Sequence, residues 1–392
     1  MAAAQEIILI HYDEICLKGK NRGLFERALA ENVKRALASN VCGLKLQHGR
    51  MLALLADGAD LAEVKRRLSL LPGIANFSFA STAPLDVEKI ESAALELLAK
   101  NKPSTFRVTT SRPNKRFSLT SHELDCRLGD AVCNRRGWKV DLHEPGVTLH
   151  AEICEKQAYL YLEKNAGVGG LPVGSGGGLV CSLSGGIDSP VAAFMMMKRG
   201  CGITFAHAFN RSVESTSVKG KLSGIVERLT DVQLSSKLYI VPFEKLQREI
   251  ITLVPSRLRM ILYRRAMMRI MNGVAEKERC LGIVTGDSVG QVASQTLENL
   301  VCIYDAARMP VYAPLAGMNK NETIAIARKI GTYDHSILPA ADCCSFMIAS
   351  SPETRGNLAV VQAAESRIPV EELAAEAVGK AEVLEFGGAR NH

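Results

Sequence analysis

Residues 184–190, Ser184-Gly185-Gly186-Ile187-Asp188-Ser189-Pro190, follow an apolar run at 179–183 and precede a helical pattern that opens at Pro190. A strand that turns into a helix through paired glycines points to a parallel α/β sheet, since glycine lets the backbone turn tightly and expose successive amides. Those amides, the positive end of the following helix and the Ser184 and Ser189 hydroxyls make a nest for phosphate oxygens. Pro190 suits the start of a helix, where its missing N–H leaves no bond unmade. The loop has neither G-x-G-x-x-G nor G-x-x-x-x-G-K-[ST] spacing, so the dinucleotide fingerprint and the Walker loop are both excluded. Asp188 discriminates further. A carboxylate inside a phosphate nest repels the anion unless Mg²⁺ joins it, which points to ATP-Mg with pyrophosphate as leaving group. The plainer reading is a glycine turn capped by Ser and Asp.

The chain has 392 residues, enough for two or three domains. Its main division is expected at 167–178, GVGGLPVGSGGG, where seven of twelve residues are glycine. Before that linker, strand-like segments at 6–11, 51–55, 106–110 and 158–162 alternate with helical ones at 24–38, 61–68 and 87–99, an α+β pattern. Pro72-Gly73 breaks this half, which is expected to hold one module over 1–60 and a second over 61–166. After the linker, apolar strands at 179–183, 203–207, 238–241 and 281–284 alternate with helices, as in a parallel sheet covered on both faces. The longest helical candidate, 256–280, carries a Met stripe that reads as core packing rather than a cofactor box.

Eleven cysteines with no C-x-x-C pair suggest a reducing compartment and no zinc or iron–sulfur site. Cys181 and Cys201, inside apolar runs, read as small buried hydrophobes. No run of 18 apolar residues occurs, and acids stand in the N-terminal stretch where a secretory signal has its basic region, so a soluble, cytoplasmic protein without membrane association is expected. The net charge of +7 is permissive of nucleic acid without requiring it.

The segment 184–189 resembles the PP-loop of ATP pyrophosphatases, the adenylating class. Residues 285–297, TGDSVGQVASQTL, narrow the likeness to the tRNA 4-thiouridine synthetase family. So do Pro314-Leu315 with Gly317-Met318-Asn319-Lys320, Ile330-Gly331-Thr332-Tyr333 and Asp342-Cys343-Cys344. Near the N-terminus, Tyr12-Asp13-Glu14-Ile15, Leu17-Lys18-Gly19-Lys20-Asn21-Arg22 and Phe25 match the same family's opening motif. The resemblance implies a ferredoxin-like domain, a THUMP domain that binds the tRNA acceptor end, and a PP-loop catalytic domain over 179–392. It implies adenylation of the C4 oxygen of uridine 8 in tRNA, then replacement of that oxygen by persulfide sulfur. Long-form members add a rhodanese-like domain; the 40 residues after Pro352 are too few for one. Two positions depart from the family pattern: Ala313 where Arg is usual before Pro-Leu, and Asn319 where Asp usually precedes the lysine.

By the same resemblance, Asp188 handles pyrophosphate through magnesium, and Lys320 is the lysine needed for activity. An ammonium there would stabilise charge growing on phosphate oxygens. Nucleotide contacts are implied at Ser182, Leu183, Ser184, Gly185, Gly186, Ser189, His207, Ala208, Arg264, Gly286 and Gln295, beyond the carboxyl ends of the strands where ligands of open α/β sheets lie. Cys343 or Cys344 is the sulfur acceptor, loaded directly by a cysteine desulfurase, unless free sulfide serves as the sulfur source instead. Whether the chain acts as a monomer or a homodimer is left open.

Charge distribution offers an independent line on RNA. Residues 100–139 hold ten Lys or Arg against three Asp or Glu. Arg112, Lys115 and Arg116 lie in that stretch, and Lys18, Lys20 and Arg22 extend the set; together they could follow the phosphates of a tRNA acceptor stem, read by shape more than by base edges. Aromatic residues are only 5% of the chain, with Trp138 the single tryptophan, which disfavours extensive base stacking. Two rival readings share these residues: a small-molecule PP-loop ligase, and an RNA-binding protein with a degenerate loop.

Overall fold

The computed structural model describes residues 7–12, 14–47, 49–101, 103–210, 216–339 and 349–387. These form two compact units, 1–69 with 73–169, and 70–72 with 170–392.

The first unit is built on β1 (Ile7–His11), β2 (Val41–Gln47), β3 (Arg50–Leu55), β4 (Asn76–Ala83), β5 (Thr105–Ser111), β6 (Lys139–Val140), β7 (Val147–Ile153), β8 (Ala158–Tyr161) and β9 (Asn165–Ala166). They make one sheet in the order β2-β3-β1-β4-β8-β7-β5-β6, with β9 beside β4. Its helices are α1 (Arg22–Leu37), α2 (Leu61–Leu70), α3 (Val87–Leu97) and α4 (Ser121–Arg136). The division expected near residue 60 falls in the loop between β3 and α2. The next strand, β4, runs antiparallel beside β1 from Asn76 to Ala80 and then beside β8 from Ser81 to Ala83. Leu124, Leu128 and Val132 of α4 bury with Ile90 and Ala94 of α3 against Phe106, Leu149 and Leu160 of the sheet. A capping box, Thr120 with Glu123, starts α4, and Gly137 in the left-handed region ends it.

The second unit holds β10 (Gly178–Ser182), β11 (Gly202–Phe209), β12 (Ser235–Pro242), β13 (Ile283–Val284), β14 (Val311–Tyr312) and β15 (Glu382–Gly387). Their order is β14-β13-β10-β11-β12-β15, parallel throughout except for the antiparallel β12–β15 pair. The parallel sheet expected from the alternating pattern is present, and each strand expected after residue 178 overlaps an observed one. Helices α5 (Asp188–Met197), α6 (Thr216–Gln233), α7 (Glu244–Leu253), α8 (Arg259–Glu278), α9 (Leu297–Tyr304), α10 (Lys320–Lys329), α11 (Tyr333–Ser336), α12 (Leu358–Glu365) and α13 (Val370–Gly379) complete it. From β10 the chain goes to β11 and β12 on one side and later returns to β13 and β14 on the other. The carboxyl end of β10 is therefore a topological switch point, where open α/β sheets leave a crevice.

The glycine run before β10 is stitched to the turn after α5. Leu171 N–H donates to the Lys198 carbonyl at 2.9 Å, and Gly174 and Gly176 N–H to the Gly200 carbonyl at 2.9 and 2.8 Å. In α8 the Met stripe serves two surfaces: Met268 and Met271 are core residues, as expected, and Met267 packs against that core, while Met260, Met267 and Met268 also line a cavity. Among the described residues no helix is long and apolar enough to cross a membrane.

Candidate active site

The loop after β10 turns at Gly185, whose φ of +78° is a conformation that side chains other than glycine's rarely adopt. Helix α5 starts at Asp188, two residues earlier than the sequence pattern suggests, so Pro190 occupies its first turn, where an N–H still has no helical partner. The serines brace the turn. Ser184 N–H donates to Ser189 Oγ at 3.1 Å, the two hydroxyl oxygens lie 3.2 Å apart, and Gly186 N–H donates to Ser184 Oγ at 3.2 Å. These hydroxyls thus shape the nest as well as facing it.

Asp188 is held by donors on two other segments. Lys320 Nζ lies 2.7 and 2.9 Å from its two oxygens, and Gln291 Nε2 donates to Oδ2 at 2.9 Å. Lys320 is the first residue of α10, placed by a capping box in which the Asn319 side chain accepts the Glu322 N–H and Glu322 accepts that of Asn319. Asn caps a helix as well as Asp does, so the departure at 319 leaves this placement intact.

Behind the loop lies a cavity of about 330 Å³. Of the expected nucleotide contacts, Ser182, Ser184, Ser189, Arg264, Gly286 and Gln295 line it together with Asp188. Leu183, His207 and Ala208 are buried at the ends of β10 and β11 and do not line it, and His207 Nδ1 is bonded to the Leu183 carbonyl at 2.7 Å. Gly286 crosses the start of α5 so closely that a Cβ there would sit 2.6 Å from Ser189 N. Gly286→Ala should therefore displace the first turn of α5, with overpacking of about 1–3 kcal/mol. A lowered melting temperature together with weakened ATP binding is expected by calorimetry, and unaltered affinity would refute the role.

Sequence reasoning left Asp287 without a role. It is buried, receives both its short bonds from Arg264 Nη2 at 2.7 Å, and accepts from Tyr304 Oη at 2.8 Å and Gln295 Nε2 at 3.1 Å. Burial pushes the Asp287 carboxyl up, but the Arg264 charge and these hydrogen bonds outweigh it and hold the group below the usual carboxylate range. The signal available was the Asp within residues 285–297, but its partner Tyr304 lies outside that run. Lys221 of α6 was also missed: its Cε approaches within 3.8 Å of where a Gly185 Cβ would be, and its Nζ donates to the Leu338 carbonyl at 2.8 Å.

Cys343 and Cys344 lie outside the described residues. Cys181 is fully buried and its thiol is pushed up to about 12 by desolvation, which leaves it inert at neutral pH. In the first unit Lys20, Lys115 and Arg116 are exposed. Arg112 is committed to its own loop, donating to the Lys115 and Phe117 carbonyls at 3.2 and 2.9 Å. Arg22 pairs with Glu26 at 2.7 Å, and Lys18 sits over the Phe25 ring at 5.1 Å.

Comparison with known proteins fits this geometry. The family model described as thiamine biosynthesis protein (ThiI) matches residues 174–370, its ferredoxin-like domain 7–78, and the THUMP domain 85–163. A probable tRNA sulfurtransferase of Moorella thermoacetica is 42% identical over 379 residues, covering 96% of this chain and 97% of that protein. The chain belongs to the tRNA sulfurtransferase family. A second member, from Thermus thermophilus, is 40% identical over 96% of this chain and 92% of its own. Among solved structures, a 4-thiouridine synthetase crystallised with RNA and bound ATP superposes with a TM-score of 0.88 at 33% identity, covering 97% of this chain and all of that one. The three-part architecture expected from the sequence is thus that of the family, and the loop, Asp188, Lys320 and the cavity lie within the residues matched by its catalytic model.

Proposed function

We propose that this chain is an ATP-dependent tRNA sulfurtransferase that converts uridine 8 to 4-thiouridine. The observation that carries the reading is the β10 loop with Lys320 set against Asp188 at the switch point of the sheet. The uridine O4 attacks the α-phosphorus, the bond to the β-phosphate oxygen breaks, and pyrophosphate leaves. The terminal sulfur of a persulfide then attacks C4 and AMP departs with the original oxygen. A second thiol closes a disulfide as the S–S bond breaks, leaving sulfur on the base.

The residues present suit this division of labour. The α5 N-terminus and the turn at Gly185–Gly186 offer donors to phosphate oxygens, and Lys320 supplies a cation where charge develops. Asp188 has the hard oxygen donors that Mg²⁺ takes, and Lys320 and Gln291 hold its carboxylate in place. Magnesium, when bound, neutralises charge on the leaving pyrophosphate. Cys343 or Cys344 would carry the sulfur, delivered by a cysteine desulfurase, and the reaction belongs in the cytoplasm with its tRNA substrate.

Incubation with tRNA, ATP-Mg and a sulfur donor, followed by nucleoside mass spectrometry, should yield 4-thiouridine at position 8 with one AMP per modified base. Release of ADP, or no thiolated base, would reject the reading. For RNA binding, Lys115→Ala with Arg116→Ala is the cleaner test because Arg112 supports its own loop. The slope of log affinity against log salt should flatten by about 0.7–0.9 for each phosphate that is no longer neutralised. An unchanged slope would place these side chains away from the RNA.

A further inference from the structure

A glutamine amide has one accepting and one donating end, and which end faces a ligand decides what it can recognise. Gln295 closes a single 3-10 turn, Ala293–Gln295, with its backbone pinned on both sides. Its N–H donates to the Val292 carbonyl at 2.8 Å and its own carbonyl accepts the Gly290 N–H at 2.9 Å. The residue is only 9% exposed and lines the cavity behind the β10 loop. Its Nε2 donates to Asp287 Oδ1 at 3.1 Å, while Oε1 is buried with no hydrogen-bond partner among the described residues. A buried acceptor left unmet bears a desolvation penalty that a ligand donor would remove.

The amide cannot profitably turn over. Asp287 is charged against Arg264 at 2.7 Å and accepts from Tyr304 Oη at 2.8 Å. An ionised carboxylate has no hydrogen to give, so Oε1 turned toward it would meet only repulsion. We propose that Asp287 is a positioning residue that fixes the polarity of the Gln295 amide, so that the cavity presents an acceptor selecting nucleotides with a hydrogen-bond donor at that place. This rests on the reading of the cavity as an ATP site. On ATP the donor is either the exocyclic amine of the base or a ribose hydroxyl.

Competition calorimetry on the full chain, with ATP, inosine triphosphate, 2′-deoxy-ATP and 3′-deoxy-ATP, separates these sources. The wild type should bind one of the three analogues at least ~10-fold more weakly than ATP, in keeping with a site whose buried polar group is left unpaired. In Asp287→Asn, whose own amide can donate or accept, the Gln295 amide gains a second orientation. The ratio of ATP to that analogue should then shrink to within ~3-fold, even as absolute affinity falls with the loss of the Arg264 partner. Gln295→Met, which removes the acceptor, should erase the same ratio and serves if the Asn variant does not fold. A wild type that binds ATP and all three analogues alike would overturn the inference while leaving the ATP site standing, as would a ratio that survives Gln295→Met. Failure to bind ATP at all would remove the nucleotide reading and this inference with it.

Discussion

Lys320→Ala is expected to slow tRNA-dependent AMP formation by about 10²–10³-fold, the loss typical when one group stabilising transition-state charge is removed. The fold should hardly notice. The Lys320 side chain is 44% exposed and that of Asp188 20%, so their pair at 2.7 Å is worth no more than about 1 kcal/mol. The melting temperature should accordingly move by less than about 4 °C. Asp188→Ala should lose a comparable factor, and the double variant little beyond either single one, because groups that act as a unit are non-additive. Single-turnover measurement of AMP release reads the chemical step directly. A loss under tenfold in Lys320→Ala would show that the ammonium does not reach the reacting phosphate.

The second large effect is on stability, at the opposite face of α8. Arg265 is 2% exposed, with Nη2 on Glu365 at 2.6 Å and Nη1 on Asp305 at 2.9 Å. Arg269 Nη2 reaches the same Glu365 at 2.6 Å. Glu365→Ala leaves two inward guanidinium groups without their shared carboxylate, and breaking a buried pair from one side costs about 3–5 kcal/mol. The catalytic unit should melt about 6–20 °C lower by calorimetry of the full chain. Combining Glu365→Leu with Arg265→Met should recover part of that loss, since it removes the more deeply buried of the two stranded charges while Arg269 keeps its pair with Glu371. Equal melting of Glu365→Ala and wild type would refute the assignment. The pH response has a definite sign. Burial pushes the Glu365 carboxyl up, yet Arg265 and Arg269 pull it below its ordinary value. The stabilisation is therefore complete above the unfolded value of about 4.3 and is lost as pH falls through the lower folded one. The Glu365→Gln variant should lack that part of the acid limb.

Arg264 and Arg265 show why half of this was legible in the sequence and half was not. Both sit in a helix that the Met-rich pattern announces, but one turns to the cavity and the other to the core. Successive helical residues point about 100° apart, and nothing in the local run says which face is which. The deciding partner of Arg265, Glu365, is 100 residues further on. The loop at 184–190 was legible because its chemistry is local: strand, glycines, hydroxyls and helix start are contiguous. Asp287 was not, since its meaning comes from Arg264, Gln295 and Tyr304 on three different elements. Strands β2, β4 and β7 also escaped the apolar pattern. In β4 and β7 small and polar residues interrupt the run, and β2 lies at the sheet edge with little of it buried. β15 was hidden too, because an edge strand with two glutamates looks like surface.

The shared strand β4 has a consequence for the N-terminal unit as a mechanical body. Its first five residues pair with β1 and its last three with β8, with no slack residue in between. Two halves joined in this way are welded rather than tethered: the spacing between β1 and β8 is written into backbone hydrogen bonds along one continuous strand.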